Sequence, residues 1–209
     1  MKKIIYTFFV FSILLSSCVQ DVDDVFDEPS SVRVEKALAE YQTLLKSAEY
    51  GWAMEYYPSS TQAYGGYLFT MKFKDGDQVT VSTDAFEEAE KEVTSLYSLK
   101  KDIGPTLNFD TYNELFHHFS DPDIIDGGGK GKGYEGDYEF IFRSHTDNEI
   151  ILRGKKTNNV IKMTRLTEPP MTLLDKTVKL SKETFTTTYT ASIGGKTFVV
   201  PMEDHVFLF

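Results

Sequence analysis

The stretch YLFTMKFKDGDQVTVST, residues 67–83, alternates with a period of two. Tyr67, Phe69, Met71 and Phe73 fall on one side, and Leu68, Thr70, Lys72 and Lys74 on the other. Successive side chains of a strand leave on opposite faces, so this pattern predicts a half-buried strand. Asp75-Gly76 supplies a hairpin turn, since glycine accepts positive φ, and QVTVST returns. The same grammar recurs along the chain. GWAMEYYP is aromatic-rich and stopped by Pro58, and TSLYSLKKD with PTLNF reads as a pair. Residues 134–166 read as a three-stranded meander turning at 145–148 and 156–159, with Tyr138, Phe140 and Phe142 on one face. No strand–helix–strand alternation of the length a parallel crossover needs interrupts the series, so the sheet is expected to be antiparallel.

Helical periodicity appears in three places. Over residues 31–49, Val34, Leu38, Tyr41, Leu45 and Ala48 form one apolar stripe, with Ser30 or Ser31 as cap and Gly51 as terminator. Residues 84–93 and 110–121 are the other two. In the last, Thr111 and Glu114 match a capping box, and Tyr112, Leu115, Phe116 and Phe119 give a buried stripe. PDIIDGGGKGKG then reads as a loop. Beyond Glu168-Pro169-Pro170 the β pattern resumes, with Gly194-Gly195 as a hairpin turn. The expected fold is α+β, mainly β: a curved antiparallel sheet or open barrel of about eight strands with two or three covering helices. The expected organisation is a leader (1–17), an acidic linker (18–30), a main domain (31–168) and a β-rich C-terminal segment (169–209). The four apolar residues Val206–Phe209 either pair inside a sheet or mark a chain shorter than its relatives.

The leader gives an address. Lys2 and Lys3 precede a largely apolar run, Ile4 to Leu15, which is too short for a membrane span and suited to an export signal. Leu15-Ser16-Ser17-Cys18 resembles a bacterial lipobox, in which the chain is cut before the cysteine and the thiol is acylated. Several acyl chains make a stable membrane anchor. Cys18 is the single cysteine, so no disulfide framework exists. Asp21, Asp23, Asp24, Asp27 and Glu28 follow with no Lys or Arg before Arg33. The run suits a solvated linker, and it resembles the acidic export signal that sends Bacteroidetes lipoproteins to the outer face of the outer membrane. The formal charge is −10, which becomes −12 without the two leader lysines. Such a balance argues against nucleic acid as a partner and against electrostatic docking on anionic lipid.

Five stretches in order carry a family resemblance: VEKALAEYQTLLKSAEYGWAMEYYP, GGYLFTMKF, TLNFDTYNELFHHFSDP, GYEGDYEFIF and IILRGKKTNNVIKMTRL. Together, over roughly residues 33–166, they resemble the Bacteroidetes lipoprotein family labelled domain of unknown function 4302. The resemblance implies a cell-surface lipoprotein, often encoded beside outer-membrane nutrient uptake systems, in a family whose chains tend to be longer. It assigns no catalytic residue and no cofactor.

Candidate chemistry is sparse. Glu114, His117 and His118 have i, i+3 and i, i+4 spacing on the expected helix, which invites a metal reading, although HExxH is not matched. GGGKGKG lacks the Ser or Thr and the strand–helix flanks of a P-loop. Asp121, Asp123 and Asp126 do not match an EF-hand loop. Asp137 and Glu139 read as an outward solvated pair. Trp52, Tyr57 and Tyr64 are the candidate ligand-stacking rings, for a glycan or a peptide. The leading expectation is a non-enzymatic surface lipoprotein that binds a nutrient or partner as an accessory of an outer-membrane uptake system. The alternatives are a structural or assembly lipoprotein, facing the periplasm if it is not exported, and a metal-dependent surface hydrolase built on Glu114 and the histidines.

Overall fold

Eight strands pair each with the next: β1 (Trp52–Tyr56), β2 (Tyr67–Lys74), β3 (Gln78–Thr83), β4 (Val93–Lys101), β5 (Pro105–Phe109), β6 (Glu139–His145), β7 (Glu149–Gly154) and β8 (Val160–Arg165). β8 then pairs with β1, so the sheet closes into an up-and-down antiparallel barrel rather than stopping as an open one. These features come from a computed structural model that describes residues 27–86, 90–125, 127–184, 188–203 and 206–207. The leader, Cys18 and the acidic residues Asp21, Asp23 and Asp24 lie outside the described residues.

Alternation decides which side chains fill the barrel. Met54 of β1 stands opposite Phe69 on one side and Met163 on the other, and Leu107 stands opposite Phe140. All five are fully buried. The outward positions carry charge: Glu55 faces Lys162 and pairs with it at 2.6 Å, and Lys155 reaches Asp102 at 2.7 Å and Glu139 at 3.0 Å. An apolar inside and a charged outside is the reverse of a membrane-spanning barrel, whose outward face is apolar. Among the described residues no helix is long and apolar enough to cross a membrane.

An eight-stranded barrel has room for side chains inside but leaves two ends to close. Helix α1 (Ser30–Lys46) closes one. Its stripe is buried at Tyr41, Leu45 and Ala48. Tyr41 stacks on Phe142 with ring centroids 3.8 Å apart, and Gln42 Nε2 donates to the Tyr97 hydroxyl at 3.0 Å. Neither Ser30 nor Ser31 caps the helix; Pro29 occupies the cap position without a side-chain bond, and the helix stops at Lys46 before Gly51. Trp52, 0% exposed, donates its Nε1–H to the Leu45 carbonyl at 2.9 Å, and the Arg165 guanidinium lies 4.7 Å from its ring centroid.

The long β5–β6 connection closes the other end. Residues 110–121, expected as a helix, form turns and one 3₁₀ segment, His117–Ser120. Thr111 is no capping residue: its hydroxyl accepts the Leu96 N–H at 2.8 Å and ties the connection to β4. Phe116 and Phe119 are buried against Tyr56 at centroid distances of 5.4 and 5.6 Å. Gly136 permits this approach, because a Cβ there would run into the Tyr56 hydroxyl and the Phe119 carbonyl. The expected helix at 84–93 is also not formed where it is described, since residues 84–86 are bends, 90 is a turn, 91–92 are irregular and Val93 opens β4.

After the barrel the chain enters α2 (Pro170–Thr184), where β structure was expected. Pro170 suits the first helical position, where a missing N–H costs nothing. Leu174 is fully buried, and Thr177 bonds its hydroxyl back to the Leu173 carbonyl at 3.0 Å. β9 (Thr188–Ile193) and β10 (Lys196–Glu203) then form the expected hairpin, with Gly194 and Gly195 at φ +60 and +75. Two positive φ values match the right-handed twist of the paired strands. β11 (Val206–Phe207) pairs with β10.

Trp52→Ala is expected to cost about 3–5 kcal/mol, the range for emptying a buried large ring site. Urea unfolding of the two proteins checks this, and an unchanged midpoint would contradict the role given to Trp52.

Candidate functional site

The β5–β6 connection is organised by one side chain, Asn113, which is 0% exposed. Its Nδ2 donates to the Val93 carbonyl and to Ser95 Oγ, both at 3.2 Å. Its Oδ1 accepts the N–H groups of Leu115 at 3.1 Å and Phe116 at 3.3 Å. An amide has two donors and an acceptor oxygen, and all are used here in a closed local turn. The Phe116 and His117 N–H groups also donate to the Asn113 backbone carbonyl, at 3.1 and 2.8 Å, so Asn113 caps a tight turn that leads into the short 3₁₀ segment in place of the longer helix expected from Asp110.

The same residue fixes His117. The Asn113 backbone N–H donates to His117 Nδ1 at 3.0 Å, which leaves the proton of the neutral ring on Nε2. Burial pushes the His117 pKa below the ordinary histidine value, against the smaller opposing effect of nearby backbone groups of Asn113 and Phe109. The half-buried ring lies between two tyrosines. Its centroid is 5.5 Å from that of Tyr112 at 31°, and 5.6 Å from that of Tyr138 at 32°. Tyr112 corrects the expectation of a place in the buried stripe, being 67% exposed, and Tyr138 is 44% exposed although Phe140 and Phe142, expected on one face with it, are buried. The Phe109 N–H donates to the Tyr138 carbonyl at 3.1 Å, and the Thr111 N–H, next to Tyr112, donates to the Leu96 carbonyl at 3.4 Å.

Two residues before Tyr112 in the chain is Asp110. Burial alone would raise its carboxyl, but Lys100 Nζ at 2.7 Å and Asn108 Nδ2 at 2.6 Å outweigh it and hold the pKa below the ordinary value. The arrangement offers two exposed tyrosine rings on either side of a half-buried histidine, with an ion pair nearby in the sequence.

The expected site residues are dispersed. Trp52 is core, not a surface platform. Tyr57 is half-buried with its ring against Gly66. Tyr64 is half-buried and meets Tyr134 edge-on at 5.3 Å. Glu114 pairs with Lys91 at 3.1 Å, and the His118 ring packs edge-on against Phe86 at 5.0 Å. Without the helix, Glu114, His117 and His118 share no face, and among the described residues no group of three His, Cys, Asp or Glu stands close enough to hold a metal ion. Asp137 is not an outward carboxylate. It is 4% exposed and accepts the Lys156 N–H at 2.6 Å, the Thr157 N–H at 3.1 Å and the Thr157 hydroxyl, stapling the β7–β8 turn to the approach of β6.

An antiparallel eight-stranded barrel with a filled interior, closed by a helix at one end and an aromatic connection at the other, is the class of protein this chain represents. It belongs to the family described as Domain of unknown function (DUF4302), which matches residues 22–205 and so runs through the barrel, α2 and the C-terminal hairpin. No curated protein and no solved structure matches the chain.

A histidine whose folded pKa is depressed stabilises the fold fully above its unfolded pKa, and that contribution is lost as the pH falls through the folded value. Stability is therefore expected to decline as pH drops below about 6.5. The decline should be shallower in His117→Gln. Urea midpoints of both proteins at pH 7.5 and 5.5 test this; equal slopes would show that His117 does not carry the dependence.

Proposed function

We propose that the chain is a lipoprotein, anchored to the outer membrane through Cys18 and carried to the cell surface by the acidic run at Asp21, Asp23 and Asp24. There it binds a nutrient or partner without chemistry, as an accessory of an uptake system. The observation that carries the binding part of this reading is the solid barrel. Tyr56, Phe69, Phe116 and Phe140, all at 1% exposure or less, fill its interior. Small-molecule sites are clefts or cavities with a few convergent polar groups, and a barrel whose interior is filled this way leaves its outer surface and loop end for that task. The leader and the acidic run, read from the sequence, support the address. The negative balance of the chain supports a partner other than nucleic acid.

Proteinase K added to intact cells should digest the wild-type protein. It should spare Asp21→Ala/Asp23→Ala/Asp24→Ala until the cells are opened. Cys18→Ala should move from the detergent phase to the aqueous phase on Triton X-114 partition. Wild-type protein that survives on intact cells would overturn the surface assignment, and a periplasm-facing assembly lipoprotein would replace it.

A further inference from the structure

The row Tyr112–His117–Tyr138 has two properties that packing does not explain. Its outer rings stay 67% and 44% exposed although both lie against the half-buried His117 ring. Its three rings are tilted by only 31° and 32° at centroid spacings of 5.5 and 5.6 Å, so they run as a continuous row. The Asn113 N–H fixes the His117 ring, and each tyrosine ring rests against it, so less conformational freedom is lost when a ligand arrives.

The chemistry of the border narrows the ligand. Asp110, two residues before Tyr112, carries negative charge and pairs with the Lys100 ammonium, and the chain as a whole is at −10. Phosphates and acidic sugars are repelled by that balance. An extended peptide would bind best by adding to a sheet edge, but β4, β5 and β6 are each paired on both sides in a closed barrel. A ligand with a flat apolar C–H face and neutral hydroxyls around its rim fits both the ring faces and the polar border.

We infer that the Tyr112–His117–Tyr138 strip binds a neutral oligosaccharide, its rings stacking on the C–H faces of successive sugar units while Asp110 and Lys100 bond the hydroxyls. This rests on the reading of the chain as a non-enzymatic surface binder and names its ligand class.

Isothermal titration of the purified protein with three neutral hexasaccharides, an α-1,4-glucan, a β-1,4-glucan and a β-1,4-mannan, tests it. At least one is expected to bind. Tyr112→Ala and Tyr138→Ala should each weaken that binding about tenfold, with Tyr112→Phe within about threefold of wild type because the ring remains. Val160→Ala, on an exposed position of β8, should bind as wild type. Unchanged melting temperatures would show that the tyrosine variants fold. If none of the three sugars binds, or if binding ignores both alanine variants, the inference is wrong. Its failure is separable from that of the surface reading: protein digested on intact cells but blind to all three sugars loses only the saccharide assignment. Protein shielded in cells but binding sugar through these rings loses only the surface assignment.

Discussion

Closure of β8 onto β1 is the constraint on which the rest of the structure depends. Without it the sheet would keep two edges, and the inward aromatic faces would have nothing to pack against. The register puts Trp52 opposite Arg165 across that seam and opposite Met71 on the other side. Arg165 does more than face the ring. Its Nε donates to the Asp147 carbonyl at 2.6 Å and a terminal nitrogen donates to Ser47 Oγ at 2.8 Å. One guanidinium therefore joins the seam, the β6–β7 turn and the end of α1. Its planar fork, with donors in several directions, meets those demands in a way a lysine ammonium could not while also lying over the indole.

Closure also explains why the loop end is built as it is. Once the seam is made, the upper cross-section is lined by Tyr56, Phe69, Phe109 and Phe140, and a hole between such rings would expose apolar surface to water. Phe116 fills it, with Phe109 at 4.4 Å and Phe69 at 5.2 Å between ring centroids. The Asn113 turn carries Phe116 and Phe119 inward as this plug.

Much of the barrel was legible in the sequence because strands announce themselves locally. The alternation in β2, Asp75-Gly76 at its turn, the β6–β8 meander and Gly194-Gly195 all appear where periodicity and turn chemistry put them. The stripe of α1 was legible for the same reason. What was not legible depends on contacts between distant residues. Nothing local says that Asn113 will bond Val93 and Ser95 on β4, so its segment read as a helix. Nothing local says that Asp137 will be enclosed by Lys156 and Thr157. Trp52 looked like an available ring because glycine and strand residues flank it, but its surroundings, Leu45 and Arg165, lie seven residues before it and at the far end of the barrel's sequence. α2 was misread for another reason. Its Thr and Val content favours strands, and that weak preference hid the spacing of Met171, Leu174 and Val178 behind Pro170.

The topology also constrains how such a barrel would stand on a membrane. In an up-and-down barrel with an even number of strands, the chain enters and leaves at the same end. Here Gly51 precedes β1 and Leu166 follows β8, and the Leu166 N–H donates to the Gly51 carbonyl at 2.9 Å. α1 covers this end, so a tether attached ahead of Ser30 begins at the covered end, not at the loop end. The twelve residues from Cys18 to α1 can reach at most about 40 Å when fully extended. If Cys18 is lipidated, that short acidic tether favours the α1 end toward the membrane, and its charge is repelled by anionic headgroups. The Asn113 turn and the Tyr112–His117–Tyr138 strip then occupy the end that points away from the bilayer. A ring strip at that end meets solutes without first having to pass between protein and lipid.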